Sequence, residues 1–208
     1  GATVAAGETI MIIAGALAPI LTAERTALNF MQRLCGIATL TAAFVERAGT
    51  SDLKILDTRK TTPTLRLLEK YAVRCGGGVN HRMGLYDMIL IKDNHRRLWR
   101  ACGGVSAAIR GARRRYPALP IEIEVEDLDE LREALAAGPD WIMLDNMSPP
   151  LMRECVAVVG GRCRLEASGG INLSMISEIA ETGVDAVSLG CLTHSAPSVD
   201  LSLEIVEE

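Results

Sequence analysis

From residue 53 onward the chain repeats one alternation, and this restricts its fold more than any other feature. Short apolar, strand-like runs lie at 53–58, 88–92, 121–125, 141–145, 164–168 and 186–190. Helical periodicity occupies the stretches between them, at 64–75, 105–115, 128–137, 149–159 and 173–181. Strands joined mostly by helix-length crossovers must run parallel, with right-handed connections. Polar residues gather at the C-terminal ends of nearly all these strands. A closed barrel brings such ends to one mouth, whereas an open doubly wound sheet uses chiefly its switch point. An α/β barrel is therefore expected.

Ahead of the alternation, residues 9–14 look strand-like, punctuated by glycine and closed by Pro19. Thr22 is placed to cap a helix with Leu28, Met31, Leu34 and Cys35 on one face; Gly36 interrupts it. A second helix then runs over 37–48 and stops at Gly49. No apolar stretch reaches the roughly 18 residues of a membrane span, and the apolar start lacks the basic region of a signal peptide. The chain opens Gly-Ala-Thr-Val without a methionine, so its true start is expected upstream. With 208 residues, 49% of them hydrophobic, it can bury the core of one domain without disulfide staples. The six cysteines form no C-x-x-C pair, which suits reduced thiols in a cytosolic protein. A net charge of −4 and 3% aromatic residues argue against general nucleic-acid binding.

Chemistry collects at the strand ends. In Ile121-Glu122-Ile123-Glu124-Val125 the side chains alternate, so the aliphatic face packs on helices and the glutamates look into the lumen. An edge strand with a solvated face is the alternative. Asp145 ends the next strand in the same manner. The other ends carry Thr58-Arg59-Lys60-Thr61, Lys92-Asp93-Asn94-His95, Ser168-Gly169-Gly170 and Gly190, and Asn80-His81-Arg82 precedes the second strand. Arginine and lysine suit an anionic substrate, while the carboxylates suit hydroxyl groups or magnesium. Ser168-Gly169-Gly170 reads either as a phosphate cradle or as a plain tight turn. His81 and His194, taken singly, read equally well as structural histidines, and three histidines without ligand spacing argue against a catalytic zinc. Arg113-Arg114-Arg115 reads as the solvated end of a helix. Lys92 invites a Schiff-base reading, although its neighbours suit phosphate better.

Taken together and in order, these motifs resemble the quinolinate phosphoribosyltransferase family. The likeness rests on Leu21-Thr22-Ala23-Glu24-Arg25-Thr26-Ala27-Leu28-Asn29, Asp57-Thr58-Arg59-Lys60-Thr61-Thr62-Pro63, Asn80-His81-Arg82, Ile91-Lys92-Asp93-Asn94-His95, Ser168-Gly169-Gly170 and Gly190-Cys191-Leu192-Thr193-His194-Ser195. It implies an N-terminal open-faced α/β sandwich domain joined to an incomplete, seven-stranded, TIM-like α/β barrel. Members begin with roughly another domain's worth of sequence. On this scheme residues 1–21 are the remnant of the sandwich. Residues 22–200 form the helical lead-in and barrel, and residues 201–208 hold a strand (201–206) returning to the sandwich.

The implied reaction joins quinolinate to 5-phosphoribosyl 1-diphosphate, giving nicotinate mononucleotide, diphosphate and carbon dioxide, with Mg2+. By resemblance, Arg25, Arg59, His81, Arg82 and Lys92 match the quinolinate-binding positions, Arg25 acting in the neighbouring subunit of a homodimer. Lys60, Glu124, Asp145, Ser168, Gly169, Gly170, Gly190 and His194 match positions around the phosphoribosyl donor. Glu124 and Asp145 also match the metal-binding pair, and Lys60, Lys92, Glu124 and Asp145 the catalytic set. The resemblance leaves further assembly of dimers open. Alternatives are a paralogous phosphoribosyltransferase-like protein with another substrate, a Schiff-base lyase using Lys92, and a non-catalytic binding module on the same fold.

Overall fold

In the computed structural model, residues 1–99 and 103–206 are described, and the alternation becomes a single parallel sheet. Its strands are β1 (Lys54–Leu56), β2 (Ile89–Ile91), β3 (Ile121–Val125), β4 (Trp141–Asp145), β5 (Arg164–Ser168) and β6 (Ala186–Ser188), in the order β1-β6-β5-β4-β3-β2. β1 and β2 stand at the two margins. On β1's open side there is one isolated parallel bridge, Leu56 to Val79, in which Val79 N donates to Ile55 O at 2.8 Å and Asp57 N to Val79 O at 3.3 Å. The bridge delivers Asn80-His81-Arg82 to the C-terminal end of β1.

Side-chain alternation sorts the sheet's two faces. Ile121, Ile123, Val125, Ile142, Leu144, Leu165, Ala167 and Val187 are fully buried or nearly so. They share one core with Ile109 of α4 (Gly104–Arg115), Leu131 of α5 (Leu128–Ala136), Met152 and Cys155 of α6 (Pro149–Val159) and Ile179 of α7 (Ile176–Ala180). Register aligns Leu90 with Glu122, Glu124 with Met143, Met143 with Glu166, and Asp145 with Ser168 on the opposite face. β3 is flanked by β2 and β4, so it is no edge strand and its glutamates line a lumen. The sheet must curl, because His81 beside β1 touches Glu122 of β3 and Glu166 of β5 together.

Local sequence sets the helix ends. Asp127 caps α5, accepting from Asp129 N at 2.9 Å and Glu130 N at 2.8 Å. Pro149 opens α6 at a position where its missing N–H costs nothing. Helix α2 runs Arg66–Cys75, and the 173–181 stretch divides into a 3-10 turn (Leu173–Met175) and α7. Two short helices were not expected: α3 (Asp93–Trp99) and α8 (Cys191–His194).

The N-terminal reading needs correction. One helix, α1 (Leu17–Ala48), replaces the expected pair and takes Pro19 into its first turn. Gly36 does not interrupt it. A Cβ there would run into Pro197 O, so this glycine permits close approach of the chain rather than ending a helix. Thr22 lies inside α1 and donates to Ala18 O at 2.8 Å. As one helix, α1 is long and apolar enough to cross a membrane by length and composition alone, with a window of mean hydropathy 1.2. Leu28, Ile37 and Phe44 on α1 are buried in the protein. Residues 9–14 and 201–206 form no strand, since neither has a strand partner for its backbone. Residue 201 is instead tied to α1, Gln32 Nε2 donating to Leu201 O at 3.1 Å. Residues 207 and 208, and Cys102, lie outside the described residues.

Candidate active site

The mouth at the C-terminal ends of the strands has two differently built halves. On the β1 side, Asp57 is fully buried and accepts from Lys70 Nζ, from Asn80 Nδ2 at 2.6 Å and from His81 N at 2.9 Å. Lys70, also fully buried, donates to His81 O at 3.0 Å. Burial pushes Asp57 up and Lys70 down from their ordinary pKa values, and each is opposed by the other's charge. Next to Lys70 on α2, buried Glu69 accepts from Thr62 N at 3.0 Å, Thr62 Oγ1 at 2.8 Å and Arg33 Nη2 at 3.0 Å. Two adjacent residues of one helix thus hold both the 57–62 turn and the 80–82 segment.

Those clamped segments present cations. Arg59 Nε is buried without a hydrogen-bond partner among the described residues. Arg82 Nη1 donates to Met88 O at 3.1 Å, and burial together with the nearby Arg59 charge pushes its guanidinium below its usual value. His81 Nε2 lies 3.1 Å from Glu122 Oε2 and 3.3 Å from Glu166 Oε2. Burial opposes a charge on His81, but the two carboxylates override it and lift the imidazole to about 10. Burial, then the Glu166 charge, raises Glu122 to about 7.

The other half is built from strand ends and turns. Lys92 Nζ donates to Glu124 Oε2 at 3.0 Å. Burial and the Glu124 charge both raise Asp145, and carboxylate oxygens of this kind suit a hard cation. Asn146, held at φ 55°, donates from Nδ2 to Asp145 Oδ2 at 2.8 Å and from N to Ser168 O at 2.9 Å. Gly169 (φ 94°) and Gly170 (φ 61°) adopt left-handed backbone, which frees a turn that side chains would strain. Ser188 Oγ donates to Ser168 Oγ at 3.3 Å. A Cβ on Gly190 would lie 2.9 Å from His194 Nε2 and 3.3 Å from Lys60 Cδ, so these three residues converge. Thr193 Oγ1 fastens the set by donating to Lys60 O at 2.8 Å.

The mouth therefore gathers Arg59, Lys60, His81, Arg82, Lys92, Glu124, Asp145, Ser168, Gly169, Gly170, Gly190 and His194. Arg25 stands apart on α1, 70% exposed and 3.9 Å from Glu24. A separate recess lies at the opposite end of the strands, among Pro120, Trp141, Arg164 and Asp185. It has none of the mouth's residues. Sequence reasoning did not single out Glu166, Glu69 or Lys70. Alternation on Arg164-Leu165-Glu166-Ala167-Ser168 could have found Glu166, but Glu69-Lys70 looks like an ordinary exposed helix pair.

Residues 37–204 match the quinolinate phosphoribosyl transferase C-terminal domain, and residues 1–35 match the N-terminal domain of the same enzyme family. The chain belongs to the quinolinate phosphoribosyltransferase family. Over 200 residues it is 48% identical to the probable nicotinate-nucleotide pyrophosphorylase [carboxylating] of Bacillus subtilis, covering 96% of this chain and 68% of that one. The Mycobacterium leprae nicotinate-nucleotide pyrophosphorylase [carboxylating] is 45% identical over 210 residues, covering 99% of this chain and 72% of its own length. NadC from Streptococcus pyogenes, a crystal structure, is 51% identical with a TM-score of 0.86, covering 91% of this chain and 66% of that one.

Proposed function

We propose that this chain transfers a phosphoribosyl group from 5-phosphoribosyl 1-diphosphate to quinolinate, releasing nicotinate mononucleotide, diphosphate and carbon dioxide. The observation that carries the reading is Arg59: a buried guanidinium nitrogen without a partner, beside Arg82 and His81, calls for an anionic ligand. Two adjacent ring carboxylates meet that need, with Lys92 completing the set. Displacement of diphosphate develops positive charge at the ribose carbon, so positioning and electrostatics do most of the work. Glu124 and Asp145 lie where ribose hydroxyls would be held. Lys60, His194 and the Gly190 backbone surround one phosphate region, and Ser168-Gly169-Gly170 forms a second. Once the ring nitrogen is ribosylated its positive charge accepts electrons from the departing carboxylate, so decarboxylation needs no organic cofactor.

Magnesium would fit Glu124 and Asp145, whose oxygen donors suit a hard cation. Bound there it would neutralise charge on the departing diphosphate. The Schiff-base alternative is weakened by Lys92's commitment to an ion pair with Glu124. The finer architecture follows the same reading: the Val79 bridge stands for a seventh strand, and residues 1–21 for the end of a sandwich domain. A cytoplasmic setting suits the free cysteines.

Incubating the purified chain with both substrates and magnesium should release nicotinate mononucleotide; none formed by a folded chain would reject the proposal. Exposed Arg25 fits a homodimer in which it reaches the neighbour's quinolinate site across a two-fold interface. Mixing inactive Arg25→Ala with inactive Lys60→Ala chains should restore activity towards about a quarter of the parent's, as random pairing completes one site in the mixed dimers. No recovery after demonstrated subunit exchange would place Arg25 elsewhere.

A further inference from the structure

The reaction as read above gives no task to Glu122 or Glu166, although both are costly. Their side chains are 0% and 1% exposed, and the second oxygen of each, Oε1, has no hydrogen-bond partner among the described residues. Both Oε2 atoms converge on one nitrogen, His81 Nε2. One carboxylate suffices to orient an imidazole ring. The backbone of His81 is already clamped, its N–H by Asp57 and its C=O by Lys70. The second buried anion therefore acts mainly on the charge of the ring, since two desolvated carboxylates around a neutral imidazole would have only the adjoining Arg82 as counter-charge.

We propose that Glu122 and Glu166 are positioning residues that hold His81 as a fixed cation, so that it stands beside Arg59 and Arg82 as a third positive charge for the substrate carboxylates. The proposal rests on reading the mouth as a dicarboxylate site. The charged groups around His81 are Glu122 from β3, Glu166 from β5, Asp57 after β1, Lys70 from α2 and the adjoining Arg82, with Arg59 next to Arg82. Arg82 N–H also points at His81 Nδ1 from 2.7 Å, a contact that favours a bare nitrogen. A neutral amide dipole is the weaker influence in a low-dielectric lumen, where Glu166 and Glu122 both act on the other ring nitrogen. The rise of the imidazole to about 10 agrees with that balance.

The chain has three histidines, so imidazole nitrogen resonances can be followed by NMR in the full chain, with His81→Asn identifying those of His81. In the parent, His81 should remain an imidazolium at pH 8. Removing one opposing charge by Glu166→Gln should lower its midpoint by about 1–3 units. At a pH above the variant's midpoint and below the parent's, the same variant should raise the quinolinate KM, by up to about tenfold where the two midpoints lie well apart, with kcat and the KM for the phosphoribosyl donor little changed. A parent His81 titrating near the ordinary value of about 6.5 would overturn the proposal. So would an unshifted midpoint in a folded Glu166→Gln chain, or a lowered midpoint with an unchanged quinolinate KM. Should Glu166→Gln fail to fold, the parent titration still decides. That titration needs no substrate, so an inactive parent with a strongly raised His81 would break the functional reading and not the inferred charge state.

Discussion

The two halves of the mouth are held in place by different means. On the β1 side, the cations Arg59, Lys60 and Arg82 sit on segments that buried side chains clamp: Asp57, Glu69 and Lys70 make the bonds, and α2 carries two of the three. On the β4–β6 side, Ser168, Gly169, Gly170 and Gly190 owe their positions to the strands they follow and to backbone conformation. The first half depends on specific charges being present and paired. The second depends, at its glycine turns, on side chains being absent. Substitutions should therefore fail in different ways, through uncompensated charge on one side and through steric strain on the other.

The largest effect tests the clamp. Lys70→Met should destabilise the fold by about 3–5 kcal/mol in urea unfolding, because it leaves Asp57 buried and unpaired. Pairing it with Asp57→Asn should recover part of the loss. If Lys70→Met cost no more than a surface change, the clamp would not be what holds the cation half. Arg82→Ala comes next and should leave the fold intact while weakening quinolinate binding by about 2–5 kcal/mol, measured by calorimetry. Unchanged affinity would remove Arg82 from the dicarboxylate set.

On the other side, Gly169→Ala should cost about 1–2 kcal/mol of stability from the left-handed backbone alone. It should also weaken the phosphoribosyl donor selectively, since the new Cβ would lie 2.9 Å from Asn146 N and disturb the turn next to Asp145. An equal loss for both substrates would erase the distinction between the halves. The smallest effect belongs to the far end of the strands. Arg113 pairs with Asp140 at 2.7 Å, both side chains being well exposed. Arg113→Ala should change stability by about 1 kcal/mol or less and leave turnover unaltered; a change in turnover would show that this end is coupled to the mouth.

How much of this was legible depended on how local each signal was. Strands β3, β4 and β5 begin and end where alternation placed them, because their pattern is set by residues two apart. The Gly36 reading failed because a glycine inside a helix and a glycine ending one look alike until the neighbour, here Pro197 O, is known. Strand-like runs at 9–14 and 201–206 failed for a related reason: strand propensity forms no strand without a partner edge. Of the site, the strand-end residues were legible as a group, since a barrel sends every strand end to one mouth. Arg25 was named only through family resemblance.

The amino-acid sequence by itself determined the parallel α/β architecture, the lumenal face of β3 and the family, because periodicity and ordered motifs are properties of the chain read along its length. Tertiary structure decided which charges meet. Glu122 and Glu166 lie 44 positions apart with β4 between their strands, and His81 comes from a segment beside β1. Only the curling of the sheet brings the three within 4.8 Å of one another. The same holds for Lys70, an unremarkable helix lysine until burial beside Asp57 makes its charge indispensable. Electrostatic roles depend on distance and desolvation, and neither exists until the chain is folded.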